Sequence, residues 1–299
     1  MSKIQFTGIM PAMLTPLDAN GKVIKSAVRE MADYMIAAGV DGFYAVGGTG
    51  EGVLIDLTQR KAMAEAVIEA VGGRAKVIIH TGSINSLEVM ELTRFATAAG
   101  ADGISSVPPS IYFKNSFDEV VRFYSDMAKN THLPILIYAN QTGAGINMSK
   151  LLTELLKIDN ICGAKDTRAD YYAMWQLKQV NNGDINVING PDESLLCGLC
   201  MGADGGIGGT YSAMPELFVA LYRAFKAGEL DKARELQCRI NRIIQTILSF
   251  SESSCIAPMK ELLKIKGIDT GAPTYPAVDF SAERKKAFVD ALNEAGYNW

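Results

Sequence analysis

Short apolar runs alternate with longer amphipathic stretches along most of this chain. Eight runs read as strands, near residues 8–13, 42–46, 76–80, 103–107, 134–138, 161–165, 185–189 and 204–208, and helical periodicity fills the gaps. The runs are continuously apolar, as in Pro134-Ile135-Leu136-Ile137-Tyr138, which marks strands of a parallel sheet covered on both faces. A short motif recurs at three helix-to-strand junctions: Ala37-Ala38-Gly39-Val40-Asp41-Gly42, Ala98-Ala99-Gly100-Ala101-Asp102-Gly103 and Met201-Gly202-Ala203-Asp204-Gly205. Glycine just past a helix end supplies the left-handed residue that closes it. Ser116-Phe117-Asp118-Glu119 reads as a capping box, and so does Asn85-Ser86-Leu87-Glu88 with Asn at the cap. Repeated βα units predict an α/β protein, a closed (β/α)8 TIM barrel, with a doubly wound open sheet as the alternative that spacing leaves open. After residue 213 the pattern is helical: 214–226 closes the barrel, and helices near 229–249, 256–265 and 281–296 form a C-terminal extension. The predicted division is thus 1–226 for the barrel and 227–299 for an extension packed on it as one structural unit.

Composition narrows the picture. The 299 residues are 48% hydrophobic and 21% charged, which suits one barrel with a tail. Net charge is −4 with the signs interspersed, so no basic stripe offers itself to nucleic acid. The N-terminus lacks the apolar core of a signal peptide, and no apolar run reaches the ~18 residues of a membrane span. Five cysteines at irregular spacing point to free thiols in a reducing cytoplasm.

Candidate chemistry sits at strand ends. Lys165 ends Ile161-Cys162-Gly163-Ala164, and Tyr138 ends the apolar run before it. In a βα barrel the C-terminal strand ends build the active site. A desolvated lysine has a lowered pKa and can become a Schiff-base nucleophile. The alternative is a Lys165 salt-bridged to Asp166 or Asp170. Gly47-Gly48-Thr49-Gly50-Glu51-Gly52 follows the second strand and could cradle a carboxylate or phosphate through backbone N–H groups, or form only a flexible turn. Asn189-Gly190-Pro191-Asp192-Glu193 follows the seventh, where the carboxylates could bind hydroxyls or a metal, or Asp192 could cap the next helix. Cys197 and Cys200 form CxxC inside an apolar helix and read as core rather than as zinc or redox ligands. His80 and His132 are isolated and make no metal triad, and Trp175, Met31 and Met35 read as packing.

Gly48-Thr49-Gly50-Glu51, Tyr138 and Lys165, in that order and spacing, resemble the family of N-acetylneuraminate lyase and dihydrodipicolinate synthase, over almost the whole chain. The resemblance implies a barrel with a helical extension, commonly a homotetramer built as a dimer of dimers. It implies reversible condensation of pyruvate with an aldehyde through a lysine imine, with no metal or other cofactor. In that frame Lys165 is the Schiff-base lysine, Tyr138 carries the proton, and Gly48 and Thr49 bind the carboxylate. Tyr112 matches a tyrosine after the fourth strand that often reaches into a neighbour's site, across a loop with a one-residue insertion. Thr167, Gly190, Asp192 and Glu193 resemble the sugar-hydroxyl contacts of sialic acid lyases, and Gly208-Gly209-Thr210-Tyr211 resembles their Gly-Ser-Thr-Tyr segment. The synthases place an arginine shortly after the tyrosine to hold a second carboxylate; residues 139–145 here contain none. Two lyase serines are glycines, Gly48 and Gly209. The resemblance therefore implies a small-molecule sugar acid and pyruvate as partners, and cleavage of N-acetylneuraminate to N-acetylmannosamine and pyruvate. Another 2-keto-3-deoxy sugar-acid aldolase or dehydratase, or a divergent dihydrodipicolinate synthase, is the alternative. A catalytically silent sugar-acid-binding barrel is the non-enzyme reading, and the presence of both Tyr138 and Lys165 argues against it.

Overall fold

Eight parallel strands form one sheet: β1 (Gly8–Pro11), β2 (Gly42–Ala45), β3 (Lys76–His80), β4 (Gly103–Ser106), β5 (Ile135–Ala139), β6 (Ile161–Asp166), β7 (Asn186–Asn189) and β8 (Gly205–Gly208). The computed structural model describes every residue except 1, 4, 110–113, 141–144, 253 and 299. The strands run β1-β8-β7-β6-β5-β4-β3-β2, and a parallel bridge between Ala12 and Tyr44, with Met13 N donating to Tyr44 O at 2.9 Å, joins the two ends. This is a TIM barrel, and the open sheet is excluded. Helices α1 (Lys25–Ala38), α2 (Leu57–Val71), α3 (Ser86–Ala99), α4 (Phe117–Ala128), α5 (Met148–Leu155), α6 (Tyr171–Lys178), α7 (Leu195–Cys200) and α8 (Pro215–Lys226) follow the strands in turn. Helices α9 (Leu230–Ser249), α10 (Ile256–Ile265) and α11 (Ala282–Glu294) form the C-terminal extension.

The recurring motif does more than end helices. Gly39, Gly100 and Gly202 all adopt left-handed backbone, with φ of 90°, 91° and 95°. Each following aspartate then takes a backbone N–H of the preceding strand. Asp41 accepts from Ile9 N at 2.8 Å, Asp102 from Val77 N at 2.9 Å and Asp204 from Val187 N at 2.8 Å. The motif therefore locks neighbouring strands at the end of the barrel opposite the candidate site. The Ser116–Glu119 capping box is present. The Asn85 one is not: Asn85 caps α3 through Leu87 N, while Glu88 accepts from Ser83 Oγ at 2.6 Å instead.

The barrel interior is closed by Phe6, Met10, Tyr44, Ile78, Leu136, Cys162, Ile188 and Ile207. Cys197 and Cys200 are exposed on α7, which corrects their reading as core, because the apolar face of this short helix is carried by Leu195 and Leu199. No helix among the described residues is long and apolar enough to cross a membrane.

The extension is tied to the barrel by a fully buried ion pair. Lys260 Nζ on α10 lies 2.8 Å from Glu51 Oε2 in the loop after β2. Glu51 Oε1 accepts from Thr274 N at 2.6 Å and Thr274 Oγ1 at 2.9 Å, and Lys260 also donates to Ala272 O at 2.9 Å. Removing one partner strands a buried charge. Lys260→Met should therefore cost about 3–5 kcal/mol in urea denaturation. Adding Glu51→Gln to it should recover most of that loss. A single variant as stable as the parent would show that the pair does not hold the extension.

Candidate active site

The C-terminal ends of β2, β3, β5 and β6 direct polar side chains into the barrel mouth, because alternate strand residues point inward. Tyr138 and Lys165 pair in register on β5 and β6. Lys165 is 5% exposed, and its Nζ stands over two rings, 4.3 Å from the centroid of Tyr44 and 4.8 Å from that of Tyr138. Its amine makes no ion pair with either candidate carboxylate. Arg168 takes Asp166 with a two-pronged grip, Nε at 2.9 Å and Nη2 at 2.7 Å, and Asp170 caps α6 by accepting from Ala173 N at 2.9 Å. The salt-bridge reading of Lys165 is thereby overturned: Asp166, next on the strand, points to its other face and is held by Arg168, and Asp170 is held at the α6 cap.

The Gly47–Gly52 loop is strained at its two ends. Val46 and Glu51 are non-glycine residues at φ of 64° and 55°. For a β-branched side chain such as Val46 this is unfavourable backbone, of a kind found at ligand-binding loops. Thr15 Oγ1 donates to Gly50 O at 2.5 Å and helps hold the loop. Gly48 is exposed and Thr49 half-buried. Glu51 turns away from the barrel mouth into its ion pair with Lys260, so only the first part of the motif is available to a ligand.

Across the mouth, Asp192 is 9% exposed and does not cap a helix. Its Oδ2 accepts from Thr210 N at 2.7 Å and Thr210 Oγ1 at 2.5 Å, and its Oδ1 occupies the space that a Cβ on Gly208 would need. Glu193 is exposed to solvent beside it. Thr167, half-buried, donates from Oγ1 to Ala139 O at 3.1 Å, and its Cγ2 lies where a Cβ on Gly190 would stand. A Cβ on Gly209 would lie 2.9 Å from Thr49 Oγ1, which brings the β2 and β8 loops together. Tyr112 lies outside the described residues.

Two residues overlooked in the sequence also belong here. Tyr44 donates from its hydroxyl to Ser105 Oγ at 3.1 Å and forms one wall of the lysine's cage. His80 is 5% exposed, its ring 5.9 Å from that of Tyr44 and 6.1 Å from that of Tyr138. Both sit at inward strand positions near the C-terminal end, the same signal that singled out Tyr138 and Lys165. Among the described residues no group of three or more His, Cys, Asp or Glu could hold a metal ion.

Residues 5–295 match the Dihydrodipicolinate synthetase family. The chain is 34% identical over 295 residues to N-acetylneuraminate lyase of Rhizobium meliloti (strain 1021), covering 98% of this chain and 95% of that one. It superposes on Proteus mirabilis N-acetylneuraminate lyase with a TM-score of 0.91 at 28% identity, covering 98% of this chain and 100% of the other. A Ruminococcus gnavus sialic acid aldolase catalytic lysine mutant gives a TM-score of 0.91 at 29% identity over 97% of both chains. Fold and relatives together define a carbon–carbon lyase, an aldolase that works through a lysine Schiff base. The chain belongs to the Dihydrodipicolinate synthetase family.

Burial pushes the Asp192 carboxyl up to about 6, against the two Thr210 hydrogen bonds and the attraction of Lys165. A carboxyl raised above its unfolded value contributes stability that is complete below its unfolded pKa and is lost as pH rises through the folded one. Asp192→Asn removes this component. Between pH 4 and 7 the stability of the parent should fall relative to that of Asp192→Asn by up to about 3 kcal/mol. Denaturant titrations of both proteins across this range measure the difference, and parallel curves would mean that Asp192 titrates normally.

Proposed function

We propose that this chain is an N-acetylneuraminate lyase, cleaving N-acetylneuraminate reversibly to N-acetylmannosamine and pyruvate. The observation that carries the reading is the amine of Lys165, buried between two tyrosine rings, with the neighbouring carboxylates engaged elsewhere. Lys165 attacks the ketone of the open-chain sugar acid and, with loss of water, forms an imine. Tyr138, paired with it in register, takes the proton from the substrate hydroxyl as the carbon–carbon bond breaks. The protonated imine accepts the electron pair of that bond as an enamine, which picks up a proton and is hydrolysed to pyruvate and free Lys165. No step requires a metal or another cofactor. Gly48, Thr49 and the loop amides hold the carboxylate. Thr167, Gly190, Asp192, Glu193 and Gly209 line the path of the hydroxyl tail, and Tyr112 completes the site from its own subunit or a neighbour's.

The lyase name carried by the relatives supports this substrate, and so does the absence of arginine from residues 139–145. Asp192 and Glu193 would also repel an aldehyde bearing its own carboxylate. All five cysteines are free, which suits a cytoplasmic enzyme. Exposed apolar residues include Val53 and Leu54 after β2, Ile84 and Leu87 after β3, and the stacked pair Tyr172 and Trp175 on α6. Exposed apolar surface of this kind suits a homotetramer built as a dimer of dimers.

Pyruvate with borohydride should attach covalently to Lys165, identified by peptide mass. Lys165→Ala should abolish turnover and leave the protein folded. An adduct on another lysine would refute the assignment.

A panel of sugar acids scored for pyruvate release should rank N-acetylneuraminate first, and exhaustive EDTA treatment should leave the rate unchanged. Faster release from a shorter 2-keto-3-deoxy acid would favour that aldolase class. Better use of aspartate semialdehyde would make the chain a divergent dihydrodipicolinate synthase, and imine formation without pyruvate release would leave a silent binding barrel.

A further inference from the structure

Three rings gather around the amine of Lys165. Tyr44 and Tyr138 face Nζ directly. The imidazole of His80, at the end of β3, stands beside both, tilted at 42° to Tyr44 and perpendicular to Tyr138 at 88°. Neither of its nitrogens makes a well-formed hydrogen bond among the described residues, the Val46 main chain being their one weak partner. Buried polar atoms without partners are rare and cost stability, so a phenyl ring would sit here at lower cost. A polar ring kept at such a place points to a role in the chemistry.

The ring is also held from behind. Arg60 Nη2, buried on α2, donates to the His80 carbonyl at 3.2 Å. A Cβ on Gly82 would lie 2.6 Å from Cε1 and 2.8 Å from Nε2, so only glycine at 82 leaves the imidazole its present position. A perpendicular ring pair is held by edge-to-face electrostatics, and imidazole nitrogens polarise such a contact more than a phenyl ring does.

We propose that His80 is a positioning residue, whose imidazole, packed perpendicular to the Tyr138 ring, orients that phenol toward the substrate held on Lys165. This rests on the roles given above to Lys165 and Tyr138. Burial, with the Arg60 and Lys165 cations, holds the imidazole pKa down to about 3, the Val46 main chain pulling the other way. Tyr44 and Tyr138 complete the titratable groups around it. The ring is therefore neutral at working pH and adds no second positive charge beside the amine.

His80→Phe keeps the ring and removes both nitrogens. The kcat for pyruvate release should fall on the order of tenfold or more, with KM within about twofold of the parent. The Tm should be unchanged or higher, and borohydride should still trap pyruvate on Lys165. His80→Asn or His80→Gln, which retain a polar atom near the δ or ε position, should restore part of kcat in at least one case. Full kcat in His80→Phe overturns the proposal. So does a loss of kcat matched by a lower Tm and lost trapping, which would make His80 a filler of space. If His80→Phe fails to fold, Gly82→Ala decides, since its methyl displaces an intact imidazole: lost kcat with trapping retained supports the role, and full kcat overturns it. A parent enzyme that does not trap pyruvate on Lys165 overturns the reading of the lysine instead, before any variant is made.

Discussion

The buried ion pair between Glu51 and Lys260 is the constraint on which the site depends. The loop after β2 carries left-handed backbone at Val46 and at Glu51 itself, a conformation that persists only when its surroundings over-determine it. The pair supplies that determination from outside the barrel, through α10 and Thr274. Isolated buried pairs are poor sources of net stability, since both charges give up water. The gain here is geometric. With Glu51 fixed, the backbone from Val46 to Gly50 is fixed with it, and so is Thr49 at the barrel mouth. The C-terminal helices also hold the other side of the mouth, where Gln237 on α9 donates to Asp192 O at 3.2 Å and Asn241 to Glu193 O at 2.9 Å.

The second constraint concerns what stands near Lys165. In the role proposed for Lys165 its amine must attack a carbonyl and needs its lone pair, and a carboxylate in contact would favour the proton instead. Asp166 is next in the chain, yet it is buried and gripped by Arg168 through two hydrogen bonds. Asp170 is spent on the α6 cap. The rings that Nζ stands over are Tyr44 and Tyr138, with His80 beside both. Asp166, the next residue of β6, points to the opposite face of the strand from Lys165, and Arg168 holds it there. The same division of labour recurs at Asp192, whose one oxygen is committed to Thr210 while the other faces the glycine-lined gap over β8.

Much of this was legible in the sequence, for physical reasons that differ by element. Strands covered on both faces must be continuously apolar, so all eight were located to within a few residues, and Lys165 and Tyr138 stood out as polar ends of apolar runs. The helix-ending glycines were legible because only glycine tolerates that backbone cheaply. The aspartates two residues later were not, since their partners lie on a different strand. Glu51 looked like part of a ligand loop because nothing local reveals Lys260, far along the chain. Asn85 followed the capping-box pattern, but Ser83, two residues upstream, offered Glu88 a better partner. Cys197 and Cys200 lie among apolar residues, yet Leu195 and Leu199 cover the inner face of α7 and leave the thiols outside. His80 carries the same strand-end signal as Tyr138, but an isolated histidine has no neighbour in sequence that marks it as part of a site.

The two glycines at the candidate site, Gly48 and Gly209, are not equivalent. At 209 a Cβ would meet the Thr49 hydroxyl at 2.9 Å, closer than side chains tolerate without movement. The Thr49 hydroxyl thus stands against the open face of Gly209, where the β2 and β8 loops meet. At 48 a Cβ would meet nothing within 4 Å, so its absence is not forced by packing. A serine there would fit the protein and would compete only with whatever enters the barrel mouth. Packing therefore bears on Gly209 and leaves Gly48 free of any steric demand from the protein itself.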